Sequence, residues 1–184
     1  MKNIRVISYI IFFVAIFFTF SSASFADEAS IPSPNQLPVV SDASGAQVEI
    51  NQANNSMTIT AQSASSVLNF SSFNIGSNAS VNIGMPSADS RMLNRVTGSS
   101  ASSIFGAINA NQGLWVLVNT NGIYFAPTAR VSVDNMIAST LDISTNNFLN
   151  GNYIFEHQGT NYAQLLNEGR IEGKFDQKSA PADI

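Results

Sequence analysis

Short runs of β-forming residues, separated by Asn-, Ser- and Gly-rich punctuation, fill the chain from Gly45 nearly to its end. Most runs have three to five residues, alternate apolar and polar positions, and are rich in β-branched or aromatic side chains, which predicts strands. The runs are 47–50, 57–61, 67–70, 81–83, 115–118, 123–125, 131–133, 136–143 and 153–155. A short turn of helix fits only at Ser102–Ala110. The pattern therefore predicts an all-β domain.

The turn residues favour a coiled architecture over hairpins. Asn121-Gly122 and Asn150-Gly151 are the candidate tight hairpin turns, whereas asparagine recurs at about a dozen other corners. In a solenoid such asparagines can stack into ladders from rung to rung. A faint echo between 111–114 and 167–171, of the form N-x-G followed by an apolar residue, fits rungs of ~20 to 25 residues. These features favour a parallel β-helix modestly, and a β-sandwich stays open as the alternative.

The N-terminus has the layout of a secretory signal peptide. Lys2 and Arg5 precede an apolar run over 6–20, and small residues follow it. That run is shorter than the ~20 residues that a membrane-spanning helix needs. Ser24 and Ala26 occupy the −3 and −1 positions of a cleavage site, so residues 1–26 are expected to be removed.

Charge and cysteine content exclude several classes of function. The chain has 8 basic and 12 acidic residues, and loss of Lys2 and Arg5 leaves 6 and 12, a net charge of −6. No basic patch is available for nucleic acid or anionic lipid, so neither partner is expected. The chain has no cysteine, which excludes disulfides and thiol chemistry.

Proline and polar segments frame the folded part. Pro32, Pro34 and Pro38 predict an extended leader over 27–44. The strand pattern then predicts one β-helix domain over 45–173. The polar residues 174–184 are predicted to form a disordered tail.

Between Leu68 and Phe155 the sequence contains, in order, the blocks L-N-F-S-S-F-N-I-G (68–76), M-P-S (85–87), L-N-R-V-T-G (93–98), G-A-I-N-A-N-Q-G (106–113), N-T-N-G-I-Y-F (119–125), A-S-T-L-D-I (138–143) and N-F-L-N-G-N-Y-I-F (147–155). In these blocks the sequence resembles the secretion domain of two-partner secretion exoproteins, the filamentous haemagglutinin family. Each block alone is weak, but their order over nearly ninety residues is specific.

The resemblance implies a fold and a route of export. The fold would be a right-handed parallel β-helix, a single-stranded solenoid, with an N-terminal β-sheet cap. The partner would be an outer-membrane β-barrel transporter whose periplasmic domains bind the chain and thread it to the cell surface or medium. Where the family has N-P-N-G, this chain has Thr120 in place of proline. Relatives continue into long filaments, so the chain is expected to be either a stand-alone secretion module or the remnant of an interrupted gene.

Five residues of the matching blocks are candidates for recognition by the transporter. Asn119, Asn121 and Gly122 are equally explained as a turn, since asparagine and glycine suit tight corners. Asn94 and Arg95 lie within L-N-R-V-T-G, and Arg95 is expected to brace the cap by bonding carbonyl groups more than to contact a partner.

Two further functions are weighed against secretion. The aromatic residues could form a platform for host or surface glycans, as in a small secreted adhesin, but they are expected to pack inside the coil. The residues concerned are Phe70, Phe73, Trp115, Tyr124, Phe125, Phe148, Tyr153 and Phe155. An enzyme is not expected, because the acidic residues are scattered and His157 is the only histidine. No cofactor and no metal are predicted.

Overall fold

The computed structural model describes residues 30–157 and 163–173. The predicted signal peptide (1–26) and the predicted tail (174–184) lie outside these residues. No helix within the described ranges is long and apolar enough to span a bilayer.

The regular elements of the described residues are strands, with one short helix, in agreement with the predicted all-β domain. In chain order they are β1 (Val39–Ser44), β2 (Ala46–Asn51), β3 (Ser56–Ala61), β4 (Ser65–Ser72), β5 (Ser80–Gly84), β6 (Arg91–Val96), β7 (Ser102–Ile104), β8 (Ala107–Ala110), β9 (Leu114–Val118), β10 (Ile123–Phe125), β11 (Arg130–Val133), β12 (Asn135–Ser139), β13 (Leu165–Asn167) and β14 (Arg170–Gly173). A five-residue helix, α1 (Thr145–Leu149), lies between β12 and β13.

The strands form three sheets that wrap into a coil. Sheet 1 has the order β1-β4-β6-β9-β12, sheet 2 the order β14-β11-β8-β5-β3-β2, and sheet 3 the order β13-β10-β7. Along the chain the path runs from sheet 1 to sheet 3 to sheet 2 and back. In sheet 1, Ser65 pairs with Arg91, Arg91 with Leu114, and Leu114 with Asn135, so rungs repeat every 26, 23 and 21 residues. The predicted parallel β-helix is confirmed.

An antiparallel cap closes the N-terminal end of the coil. Strand β1 pairs antiparallel with β4, and β2 pairs antiparallel with β3, whereas β3 and β4 pair parallel with the next rung. Gly45 has a positive φ of 74° and connects β1 to β2. The predicted cap is confirmed, and β1 lies within the segment predicted as an extended leader.

Inward-facing apolar side chains stack in columns along the coil. In sheet 2, Met57, Val81 and Ile108 come from aligned positions of successive strands, and all three are fully buried. Large aromatic rings also point into the coil. Phe70 of β4 packs edge-on against Phe73, and their ring centroids are 4.9 Å apart. Burial of such columns is the main stabilising contribution in a solenoid, because each rung covers its neighbours.

The outward face carries the predicted asparagine stacking at one position. Asn82 and Asn109 are paired on β5 and β8, and the Asn109 Nδ2 donates to the Asn82 Oδ1 at 3.0 Å.

Three local predictions are wrong. Ser102–Ala110 forms β7 and β8 instead of a helical turn, because its short segments pair with the rungs on either side. The strand predicted at 136–143 ends at Ser139, and no strand forms at 153–155. Between these two segments the chain forms α1, whose N-cap is Ser144; the Ser144 side chain accepts a hydrogen bond from the Asn147 N–H.

Candidate functional site

The turn Asn119–Gly122 connects β9 to β10 at the corner between sheets 1 and 3. The Asn119 side chain is fully buried. Its Nδ2 donates to the Ser100 carbonyl at 3.0 Å and to the Ser102 Oγ at 2.9 Å. Its Oδ1 accepts from the backbone N–H of Asn121 at 2.9 Å. Asn119 therefore ties its own turn to the corner of the rung before.

Asn121 and Gly122 complete this corner. The Asn121 Nδ2 donates to the Gly98 carbonyl at 2.8 Å, and the Gly122 N–H donates to the Asn119 carbonyl at 3.1 Å. Gly122 has a φ of 121°, a conformation that side-chain-bearing residues rarely adopt. Gly98 belongs to the block L-N-R-V-T-G, so two of the matching sequence blocks meet here. The turn predicted from sequence is confirmed.

Asn94 and Arg95 lie near the same end of the neighbouring strand β6. Asn94 is paired with Leu117 and Arg95 with Val118, directly before the Asn119 turn. The buried Asn94 points inward, where its Nδ2 donates to the Val116 carbonyl at 3.3 Å. Its Oδ1 is buried without a hydrogen-bond partner among the described residues. The structure thus brings all five predicted residues together, but on different faces.

Arg95 points outward and holds the segment that follows β12. Its Nε lies 2.9 Å from the Asp142 Oδ1 in an ion pair, and its Nη1 donates to the Thr145 Oγ1 at 3.2 Å. Its Nη2 donates to the Ile143 carbonyl. Arg95 does bond a carbonyl, as predicted, but one that lies after β12 and not in the N-terminal cap.

Residues 140–157, here called the clasp, cover the outer face of sheet 1. Phe148 and Ile143 of the clasp pack in a second apolar cluster separate from the interior of the coil. The outward-facing members of that cluster on sheet 1 are Val67, Leu93, Val116 and Val118. A second arginine, Arg91, donates from its Nη2 to the Leu149 carbonyl at 2.8 Å.

The sequence analysis missed Arg91, Asp142 and the clasp. A signal was nevertheless present, because Trp115–Val118 is apolar at every position. An unbroken apolar run predicts a strand that is covered on both faces. Every second residue of β6 shares one face of the strand, which here carries Arg91, Leu93 and Arg95. An apolar contact on that face therefore lies between two cations.

The aromatic side chains divide between the interior and the surface. Phe70, Phe73, Trp115 and Phe125 are buried inside the coil, as predicted. The prediction is wrong for the three aromatic residues of the clasp: Phe148 and the partly buried Phe155 pack on the outer face of sheet 1, and Tyr153 is 40% exposed. Tyr124 lies on the outer face of sheet 3, edge-on to Phe105, and its hydroxyl donates to the Glu168 carboxylate at 2.6 Å.

That hydrogen bond changes the titration of Tyr124. The bond to Glu168, with smaller contributions from burial and from the negative charge of the carboxylate, raises the pKa of Tyr124 above its ordinary value. The contact links β10 to the turn after β13. The contact therefore joins two neighbouring rungs of the coil.

The acidic side chains of the described residues do not converge on a site for a metal ion. Asp142 and Glu156 share an isolated antiparallel bridge through their backbones. Within 30–157 and 163–173, no group of three or more His, Asp or Glu side chains is placed to hold a metal.

Comparisons with known proteins agree on one family. Residues 35–181 match the family model described as the TPS secretion domain. Two heme/hemopexin-binding proteins of Haemophilus influenzae are each 33% identical to the chain. In the protein of strain Rd the match extends over 181 residues, 95% of this chain and 19% of the relative. In the other it extends over 113 residues, 61% of this chain and 12% of the relative.

A solved structure gives the same result in three dimensions. The crystal structure of the HMW1 secretion domain from Haemophilus influenzae aligns with a TM-score of 0.63 and 30% sequence identity. The alignment covers 73% of this chain and 35% of that one. The family match spans most of the chain and includes the coil, the cap and the Asn119–Gly122 corner, so this protein belongs to the TPS secretion domain family, the two-partner secretion domains.

Proposed function

We propose that this chain is the N-terminal secretion domain of a haemagglutinin- or adhesin-type exoprotein. In the periplasm, the periplasmic domains of a two-partner secretion transporter would recognise this chain. The chain would then pass the outer membrane, and its coil would nucleate β-helix folding outside the cell. The single observation that carries the proposal is the family match over residues 35–181.

The chain spans about a fifth of the first curated relative. The ligand in the name of that relative therefore belongs to a much longer protein and is not assigned to this chain. The function proposed here is export and folding, of which the family description names the secretion.

The geometry of the Asn119–Gly122 corner supports a particular order of events. In the folded corner, the side-chain amides of Asn119 and Asn121 both donate hydrogen bonds to the previous rung and are not available to a partner. A transporter that reads these asparagines would therefore read them before the corner closes. Strand edges of the partly folded chain would add to sheets of the transporter by β-augmentation.

Folding outside the cell then makes the transport through the outer membrane run in one direction. Each rung that closes outside the cell pairs with the rung before it and buries its apolar column. A closed rung is wider than an extended chain, so it does not slip back through the pore. The cap over β3 and β4 gives the first rung a finished end from which stacking starts.

The test compares secretion with stability in Asn121→Ala. We expect secretion through the transporter to fall about ten-fold, whereas the free energy of unfolding falls by only about 1 kcal/mol, the usual net contribution of a hydrogen bond. Thr120→Ala, at the neighbouring turn residue, is the matched control and should leave secretion near the wild-type level. A secretion loss no larger than the loss of folded protein would show that Asn121 acts through structure alone.

A further inference from the structure

A groove opens at the N-terminal cap, between the two strands that end their sheets there. Its volume is about 350 Å³, and it is lined mainly by apolar side chains: Leu37, Pro38, Val39, Val40, Val48 and Ile50. Val39 is 52% exposed and Ile50 is 51% exposed, which is unusual for side chains of this size beside a packed core.

Both walls of the groove are edge strands. Strand β1 is the last strand of sheet 1 and β2 the last strand of sheet 2, and among the described residues no further strand pairs with either. An edge strand presents unpaired N–H and C=O groups that can accept another strand.

The two edges differ in regularity. The pairing of β1 with β4 shifts register twice between Val39 and Asp42, an irregularity that protects an edge from further pairing. The pairing of β2 with β3 runs through six successive residue pairs without a shift. Strand β2 is therefore the edge on which an added strand would find a regular ladder.

The charge around the groove selects the kind of partner. Asp42 and Glu49 are exposed on β1 and β2, the strands that wall the groove, although neither side chain lines it. The sequence has no Lys, Arg or His between residues 6 and 90, so no basic side chain from this part of the chain offsets them. The complement of such a site is an extended segment that carries apolar residues and at least one cation.

We infer that the groove at the cap docks an extended, cationic strand of the transporter's periplasmic domain, which adds to the free edge of β2. The inference rests on the function proposed above and names the surface that function uses. The apolar residues of the incoming strand would cover Val48 and Ile50, and its cation would face Glu49. Among the described strands the cap strands pair with β3 and β4 alone, so this surface does not require the later rungs.

The test places a photo-crosslinking amino acid, p-benzoylphenylalanine, at position 50 or at position 171 of the full chain in cells that carry the transporter. Ile50 on β2 and Ile171 on β14 lie on the two opposite edge strands of sheet 2, and both are exposed. We expect crosslinks to the periplasmic domain of the transporter from position 50, at least five-fold more than from position 171. In the position-50 background, Glu49→Lys should lower the crosslink yield several-fold, and Asp89→Lys, the same charge change at an exposed loop residue, should not.

Secretion measured in the same cells separates a failure of the cap inference from a failure of the proposed function. Equal crosslinking from both positions, or none from position 50, while secretion depends on the transporter, would overturn the cap inference and leave the proposed function standing. Crosslinks from position 50 to a second copy of the chain would overturn it as well. Secretion that does not depend on the transporter would overturn both.

Discussion

Asn119 is a fully buried polar residue whose amide satisfies three groups at once. It donates to Ser100 and Ser102 and accepts from the Asn121 backbone. Removing such a side chain leaves buried donors and acceptors without partners, which costs more than the bond itself contributed. In this chain the segment N-T-N-G (119–122) therefore joins two rungs of the coil.

We predict that Asn119→Ala lowers the free energy of unfolding by about 2 kcal/mol. Urea denaturation of the exported chain measures it. Asn109→Ala is the control, because the exposed Asn109 bonds only to Asn82 on the surface ladder and its loss should cost about 0.5 kcal/mol. Similar losses in the two variants would contradict the role given to the buried corner.

Sequence reasoning located this corner but not the direction of its side chains. Asn121-Gly122 predicts a turn from local chemistry alone, since the φ of 121° at Gly122 is a local requirement. Whether Asn119 points inward depends on Ser100 and Ser102, which reach it only when the preceding rung is in register. No local pattern carries that information.

The clasp (140–157) is the element that departs most from a simple coil. It leaves the rung after β12, crosses the outer face of sheet 1 and returns at β13. Its apolar anchor is Phe148, and its polar anchors are the bonds from Arg95 and Arg91. The clasp therefore fastens to β6, two rungs before the point where it leaves the coil.

We predict that Arg95→Ala loosens the clasp without unfolding the coil. The Arg95 and Asp142 side chains are 15% and 26% exposed, so their ion pair is better shielded from solvent than a surface pair. Its loss, with two hydrogen bonds, should weaken the closed state by about 1–2 kcal/mol, which corresponds to roughly 5- to 30-fold more opening. Chymotrypsin, which cleaves after aromatic residues such as Phe148 and Tyr153, reports that opening as a faster cut.

Arg170→Ala is the matched control for this proteolysis. Its ion pair with Glu172 lies between side chains that are 68% and 52% exposed, and such pairs contribute little. Cleavage within 140–157 should proceed at the wild-type rate. An Arg95→Ala chain that is cut no faster than Arg170→Ala would show that apolar contacts alone hold the clasp.

The type of the elements could be predicted from the sequence better than their number and bounds. The predicted runs correspond to eight strands, β2–β5 and β9–β12, because β-branched and alternating apolar residues mark them. The strands β1, β6, β7, β8, β13 and β14 were not predicted, and β7 and β8 are so short that 102–110 was assigned to a helical turn. The clasp was not predicted from the sequence, because its strand-like residues pack against the outer face of sheet 1 and do not form a regular strand of a sheet.

At the scale of the whole molecule, the coil has two unlike ends. The N-terminal end is finished by antiparallel strands, and the far end presents β12, β13 and β14 as the last described strands of their sheets. Leu165, Leu166 and Ile171 near that end are about 40% exposed. The motif order indicated this architecture from sequence, whereas the assignment of strands to three sheets required the register between rungs.

Secretion of this chain from a Gram-negative host, with and without a two-partner secretion transporter, tests the central claim most directly. The account predicts that the chain appears in the medium or on the cell surface only when the transporter is present. It also predicts that the chain stays in the periplasm when the transporter is absent. Equal release in both strains, or periplasmic retention in both, would contradict the claim that this domain is a secretion module read by an outer-membrane transporter.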